Sequence, residues 1–271
     1  MQGPQHPNKD DPSAILDPKT LAFYLRALDI LDDSGARYVV GGAYAMAAHA
    51  NVIRHTKDLD VFLRRADYSR ASRAFETAGY RTELTHPHWL GKAYDTDESA
   101  FVDMIYGSGN GLCPVDDEWL DNAVDGEVLG GRKAKVSPPE EIIWSKAFIQ
   151  ERNRFDGADV AHLLLASGRR LNWARLMHRF SGNERVLLAH LVLFGFIFPS
   201  EKEIVPPWVM DDLIGRMKSE PAAHERVCRG TLLSWEQYLP DVRERGFIDG
   251  RIAPRGPLTR EEVERWSKAP K

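Results

Sequence analysis

From Asp17 onward the chain places Leu21, Tyr24, Leu25, Leu28 and Leu31 at helical spacing, with Asp17 able to cap, Pro18 suited to the first turn and Gly35 able to stop the helix. The short apolar run "RYVVGG" then predicts a buried strand that ends in Gly41-Gly42, and "AYAMAAHA" behind it is rich in helix formers. "RHTKDLDVFL" (54–63) predicts a second strand. Its side chains alternate, so Leu59, Val61 and Leu63 share one face and Asp58 and Asp60 stand together on the other. "ADYSRASRAFETAGY" (66–80) reads as a helix ending at Gly79, and 80–106 holds short strands, of which "SAFVDMIYG" is the clearest. Glycines and Asn110 between Gly107 and Pro114 mark a loop, and "RKAKVS" is a further strand. "SPPEEIIWSKAFIQERNRF" starts a helix with Ser137 as cap and Glu140 as its capping-box partner.

From about Asp156 the pattern becomes almost entirely helical, through "ADVAHLLLASG", "NWARLMHRFSG" and "PPWVMDDLIGRMKSE". The fold class predicted is α+β: a mixed α/β sheet flanked by helices, followed by an all-α C-terminal module. The expected divisions are a loose lead-in over 1–16, a mixed domain over 17–154, a helical domain over 155–240 and a charged, partly ordered tail over 241–271. "LLAHLVLFGFIF" (187–198) predicts a buried helix, being too short for a membrane span and carrying His190. The N-terminus has no basic start followed by an apolar block, so no secretory signal is expected and the cytoplasm is the default.

Composition narrows the class further. With 271 residues, 43% hydrophobic and 28% charged, the chain can bury a sizeable core and is expected to be a soluble globular protein without a membrane partner. A net charge of −4 supplies no global attraction for nucleic acid. Cys113 and Cys228 are too few for a disulfide framework and lack metal-ligand spacing, which leaves two reduced thiols. "THPHW" (85–89) has no third ligand at a suitable spacing and is expected to be a loop.

The carboxylates carry the chemistry. Asp is a poor strand former, yet two stand side by side at positions 58 and 60. In "SAFVDMIYG", Asp103 shares its face with Phe101 and Ile105 while Val102 and Met104 point the other way, so one carboxylate sits on a strand that is otherwise apolar on both faces. Left without a partner there, a carboxylate costs several kcal/mol of desolvation or becomes protonated, and a bound cation removes the conflict. Three carboxylates on neighbouring strands form an oxygen-rich site suited to Mg2+. Two such ions about 3.5–4 Å apart can activate a hydroxyl and stabilise a leaving pyrophosphate. Gly41-Gly42, between a strand and a helix, lets the backbone approach a ligand and offers helix N–H groups to an anion; alone, the same pair fits a tight turn.

With Asp103 on a later strand, "VVGGAYAMAAHANVIRHTKDLDVFL" resembles the nucleotidyltransferase superfamily, which includes DNA polymerase β and the minimal nucleotidyltransferases. The resemblance implies a nucleotidyltransferase fold over 17–154. In it Gly41, Gly42, Asp58, Asp60 and Asp103 hold two Mg2+ ions, for which Mn2+ can substitute, and a nucleoside triphosphate such as ATP. It also implies that Asp103 orients or deprotonates the attacking hydroxyl. "RHTKD" is similar to the Arg-x-Thr-x-Asp of the bacterial branch near AbiEii-type toxins of type IV toxin–antitoxin systems, and a later helix supplies Lys146, Arg152, Asp156 and Asp159 in that branch's order. That likeness implies Lys146 as a point charge toward the triphosphate, Arg54 and Thr56 as loop-positioning or phosphate-contacting residues, and Asp159 as a carboxylate steering Lys146 or Arg152. From the residues alone, a surface lysine, a capping Arg-Thr pair and a stabilising salt bridge fit equally well.

The function expected is Mg2+-dependent transfer of a nucleoside monophosphate from an NTP to a hydroxyl, with pyrophosphate leaving. The acceptor is RNA such as tRNA, a protein side chain, or a small molecule as in the aminoglycoside-modifying branch. The alternative is a non-catalytic interaction protein of a toxin–antitoxin or defence pair, with a cognate antitoxin as partner. Arg152, Arg154, Arg169, Arg170, Arg175, Arg179 and Arg185 recur with few acids between them, as a basic groove for RNA or nucleotide or as a solvated helix face.

Overall fold

Asp17 opens the first helix, α1 (Pro18–Ser34): its carboxylate accepts the backbone N–H groups of Lys19 and Thr20 at 3.0 Å, and Gly35 closes the helix at φ 70°. The structure is a computed structural model and describes residues 16–53, 56 and 58–268. Arg54 lies outside the described residues. The chain divides into two units.

The first unit comprises Met1–Gly107 and Pro114–Pro138. After α1 come β1 (Tyr38–Val40), α2 (Gly42–Ala50), β2 (Asp58–Leu63), α3 (Arg65–Thr77), β3 (Arg81–His86), β4 (Leu90–Tyr94), β5 (Phe101–Ile105), α4 (Asp117–Asp121), β6 (Val124–Val128) and β7 (Arg132–Val136). All seven strands form one mixed sheet in the order β3-β4-β5-β2-β1-β7-β6. Pairings of β2 with β5 and of β1 with β7 are parallel, and the others are antiparallel. One unforeseen strand of this sheet is β6, whose "VDGEV" alternates too weakly to read as a strand until β7 pairs with it.

Leu59, Val61 and Leu63 of β2 and Val102 and Met104 of β5 are fully buried. Each such side chain contributes about 1.5–3 kcal/mol on burial. A slip of one residue would exchange these aliphatics for carboxylates, so the apolar face fixes the register that presents Asp58 and Asp60.

The second unit comprises Ser108–Cys113 and Pro139–Lys271. It contains α5 (Pro139–Ala147), α6 (Gly157–Ser167), α7 (Trp173–Arg179), α8 (Glu184–Ile197), α9 (Pro207–Ser219), β8 (Val227–Cys228), α10 (Trp235–Arg243), β9 (Ile248–Asp249) and α11 (Arg260–Lys268). No helix among the described residues is long and apolar enough to cross a membrane.

Three local expectations are corrected. Ser137 does not serve as a cap: its hydroxyl accepts the Trp119 indole N–H at 2.8 Å, and the Glu140 carboxylate accepts the Asn172 N–H at 2.6 Å. The α8 helix is not buried all round. Leu187, Leu191 and Phe194 face inward, while Val192 and Phe196 are exposed. Neither reading of the arginines holds for Arg175 and Arg179, which turn inward to the buried Glu141 at 3.0 and 3.2 Å; Arg154, Arg169 and Arg185 each pair with an acid. Arg251 is fully buried in the C-terminal stretch, bonded to Asp249 at 2.7 Å and beside the rings of Trp235 and Trp266.

Candidate active site

Parallel pairing of β2 with β5 sets Asp60 directly opposite Asp103, and Asp58 opposite Phe101. One carboxylate oxygen each from Asp58, Asp60 and Asp103 lies within 4.8 Å of the others, the only such gathering of three potential metal ligands among the described residues. Each carboxylate is braced differently. The Thr56 hydroxyl bonds Asp58 Oδ1 and also donates to the Asp58 carbonyl at 3.1 Å. Thr56 thus holds a member of the triad.

Asp60 lies against the start of α2. Its carbonyl accepts the Gly41 N–H at 2.9 Å, and Gly42 takes the left-handed φ of 53°. A Cβ on Gly42 would overlap Asp60 Oδ2 and stand 2.7 Å from Cγ, so the missing side chain is what admits the carboxylate. The unsatisfied N–H groups of a helix's first turn favour negative charge at that place. A Cβ on Gly41 would in turn overlap the ring of Phe62, which stacks on Trp119 at 5.0 Å. Both glycines therefore answer to close approach by β2 side chains.

Asp103 is buried, and Lys92 of β4, its register partner, places Nζ 2.6 Å from Oδ1. Burial raises the Asp103 pKa; the Lys92 bond and charge oppose the rise, and Asp58 adds to it, for a net upward shift. Behind the group, the fully buried Tyr24 has a hydroxyl with no hydrogen-bond partner. Its pKa is raised by burial first, then by Tyr44 and the three carboxylates.

The donor set fits a divalent cation of the Mg2+ or Mn2+ kind: all oxygen, all anionic when ionised, with no His or Cys. The net upward shift at Asp103 agrees, since Lys92 alone does not offset its burial. A family model described as Aminoglycoside-2''-adenylyltransferase matches residues 24–100, which hold Gly41, Gly42, Asp58 and Asp60. The match supports a nucleotidyltransferase over that stretch.

No curated protein matches the chain. Among solved structures, the antibiotic-resistance factor ANT(2'')-Ia is similar at 18% identity and a TM-score of 0.44, covering 65% of this chain and 98% of its own. The lincosamide adenylyltransferase LnuA with lincomycin bound is similar at 14% identity and a TM-score of 0.38, covering 55% and 96%. JHP933 from Helicobacter pylori is similar at 12% identity and a TM-score of 0.36, covering 75% and 97%.

Lys146 and Asp159 lie in the second unit. Lys146 Nζ is 2.8 Å from both Asp156 Oδ2 and Asp159 Oδ2, so its charge is held between two carboxylates. Burial works to raise the Asp156 pKa, but the bonds and charges of Arg154 and Lys146 bring it below the ordinary value. His86 of the "THPHW" segment stacks on Trp89 at 5.4 Å. Sequence reasoning missed Lys92 and Tyr24. Tyr24 carried no signal beyond helical spacing. For Lys92 the available signal was a lysine inside the apolar, small-residue run "LGKAY".

Proposed function

We propose that the chain is a nucleotidyltransferase that moves AMP from ATP to a hydroxyl of a small-molecule acceptor, with release of pyrophosphate. The observation that carries this reading is the convergence of Asp58, Asp60 and Asp103 beside the side-chain-free start of α2. A divalent cation held by the three carboxylates supplies charge neutralisation for the triphosphate and the leaving pyrophosphate. Asp103 takes the proton of the acceptor hydroxyl as the acceptor oxygen forms the new bond to the α-phosphorus and the bond to pyrophosphate breaks. The α2 N-terminus at Gly41-Gly42 binds phosphate oxygens through its free N–H groups.

Thr56 fixes Asp58 for this task. Arg54 is assigned to the triphosphate; Lys146 is held by Asp156 and Asp159 within the second unit. Of the acceptor classes the sequence leaves open, a small molecule is supported by the family match over residues 24–100; RNA and protein acceptors, and an antitoxin partner, have no comparable support.

The test incubates the protein with ATP labelled at the α-phosphate, Mg2+, and separate acceptors: aminoglycosides, a lincosamide, tRNA and a bacterial protein extract. The expected result is label on a small molecule, lost in Asp60→Ala. Label on tRNA or protein alone would overturn the acceptor, and equal transfer by Asp60→Ala would overturn the site.

A further inference from the structure

We propose that Lys92 is a positioning residue of this site: a fixed cation that bonds one oxygen of Asp103, holds the carboxylate in one orientation, and restrains how tightly the acidic group takes up divalent ions. The inference rests on the metal-holding reading of the triad given above.

Three observations carry it. Across β2, β5 and β4 the register aligns Asp60, Asp103 and Lys92 in one row, so all three side chains stand on the same face of the sheet. The ammonium is pinned from two sides, 2.6 Å from Asp103 Oδ1 and 3.8 Å from the centre of the Phe101 ring, whose residue is the register partner of Asp58. Both side chains of the pair are largely removed from water, at 18% and 13% exposure, whereas on the neighbouring strand β3 Arg81 pairs with Glu98 at 46% and 54%. A lysine is disfavoured within a strand and costly to desolvate. An exposed pair would leave the carboxylate free to turn; this one does not.

The consequence is geometric and coulombic. With Oδ1 bonded to Lys92, the Asp103 carboxylate is held in one orientation, set by the β5 backbone and by Lys92. A positive charge fixed at one ligand also repels an incoming divalent ion. Removing Lys92 should therefore tighten ion binding while loosening the orientation of Asp103. A lysine that merely stabilised the fold would not produce opposite signs.

The test measures Mn2+ binding, by the electron paramagnetic signal of the free ion, and Mn2+-dependent release of pyrophosphate from ATP with water as acceptor, giving AMP. The proteins are the full-length wild type, Lys92→Met, Lys92→Gln and Lys92→Arg. In Lys92→Met the Mn2+ Kd is expected to fall about tenfold, while kcat falls about 10- to 100-fold with little change in KM for ATP. Lys92→Arg keeps the charge, so its Mn2+ affinity stays near wild type and part of kcat returns. If Lys92→Met does not fold, Lys92→Gln decides by the same signs. Mn2+ binding equal to or weaker than wild type in the neutral variants, or an unchanged kcat, overturns the assignment of Lys92 alone. A wild type without saturable Mn2+ binding overturns the triad reading and this inference together.

Discussion

Replacing Gly42 by alanine separates what the backbone turn costs from what the site needs. Gly42 sits at φ 53°, and an L-residue in the left-handed region costs about 1–2 kcal/mol. The new Cβ would also overlap Asp60 Oδ2, with Cγ at 2.7 Å, so the carboxylate must rotate away from the triad. Gly35 supplies the control: its φ is 70°, yet a Cβ there meets nothing within 4 Å. Gly35→Ala therefore carries the backbone cost and nothing else. Gly35→Ala is expected to lose about 1–2 kcal/mol, a fall in Tm of roughly 2–8 °C for a chain of this size, and Gly42→Ala at least as much. Only Gly42→Ala should lose Mn2+ binding and pyrophosphate release, by more than about a hundredfold, because it displaces a ligand rather than a group supporting one. Thermal unfolding, Mn2+ titration and pyrophosphate release on the same preparations give all three quantities. A Gly42→Ala protein as active as Gly35→Ala would refute the placement of Asp60 against α2.

Two further outcomes are expected. Thr56→Val keeps the shape of the side chain and deletes the hydroxyl that braces Asp58, so activity should fall about tenfold while stability changes by about 1 kcal/mol; steady-state kinetics beside urea unfolding check this, and unchanged kinetics would count against the brace. His190 is buried, with Nε2 2.9 Å from the Ala147 carbonyl, and burial lowers its pKa below the usual 6.5. Its neutral form therefore contributes stability that is fully present above pH 6.5 and is lost as the pH falls through the lowered value in the folded state. As the pH falls below 6.5, the Tm of wild type should fall more steeply than that of His190→Gln, and parallel curves would remove His190 as a source of acid sensitivity.

Much of the site's geometry could be read from spacing, since a strand's period of two is enough to put Asp58 beside Asp60 and to isolate Asp103 on an apolar strand. Strand pairing could not be read that way. That Asp60 faces Asp103 across a parallel pair, and that β4 delivers Lys92 to the far side of Asp103, depends on long-range register that no local pattern encodes. Buried charge was equally hidden. Arg175 and Arg179 look like solvated helix residues by composition, and only the packing of α5 with α7 shows that they neutralise Glu141. The Ser137 cap was misread because a serine before Pro-Pro-Glu-Glu fits the capping pattern, while its actual partner, Trp119, lies 18 residues away in sequence. The outer face of α8 was misread because an apolar run of this length does not reveal which side meets water.

The central claim is that Asp58 and Asp60 hold a divalent ion and, through it, a nucleotide. Titration calorimetry with Mn2+ and a non-hydrolysable ATP analogue tests it most directly. Saturable binding by the wild type is expected, weakened more than about a hundredfold in the Asp58→Asn, Asp60→Asn double variant at an unchanged Tm. Equal affinity in the two proteins, or no binding by the wild type, would contradict the account.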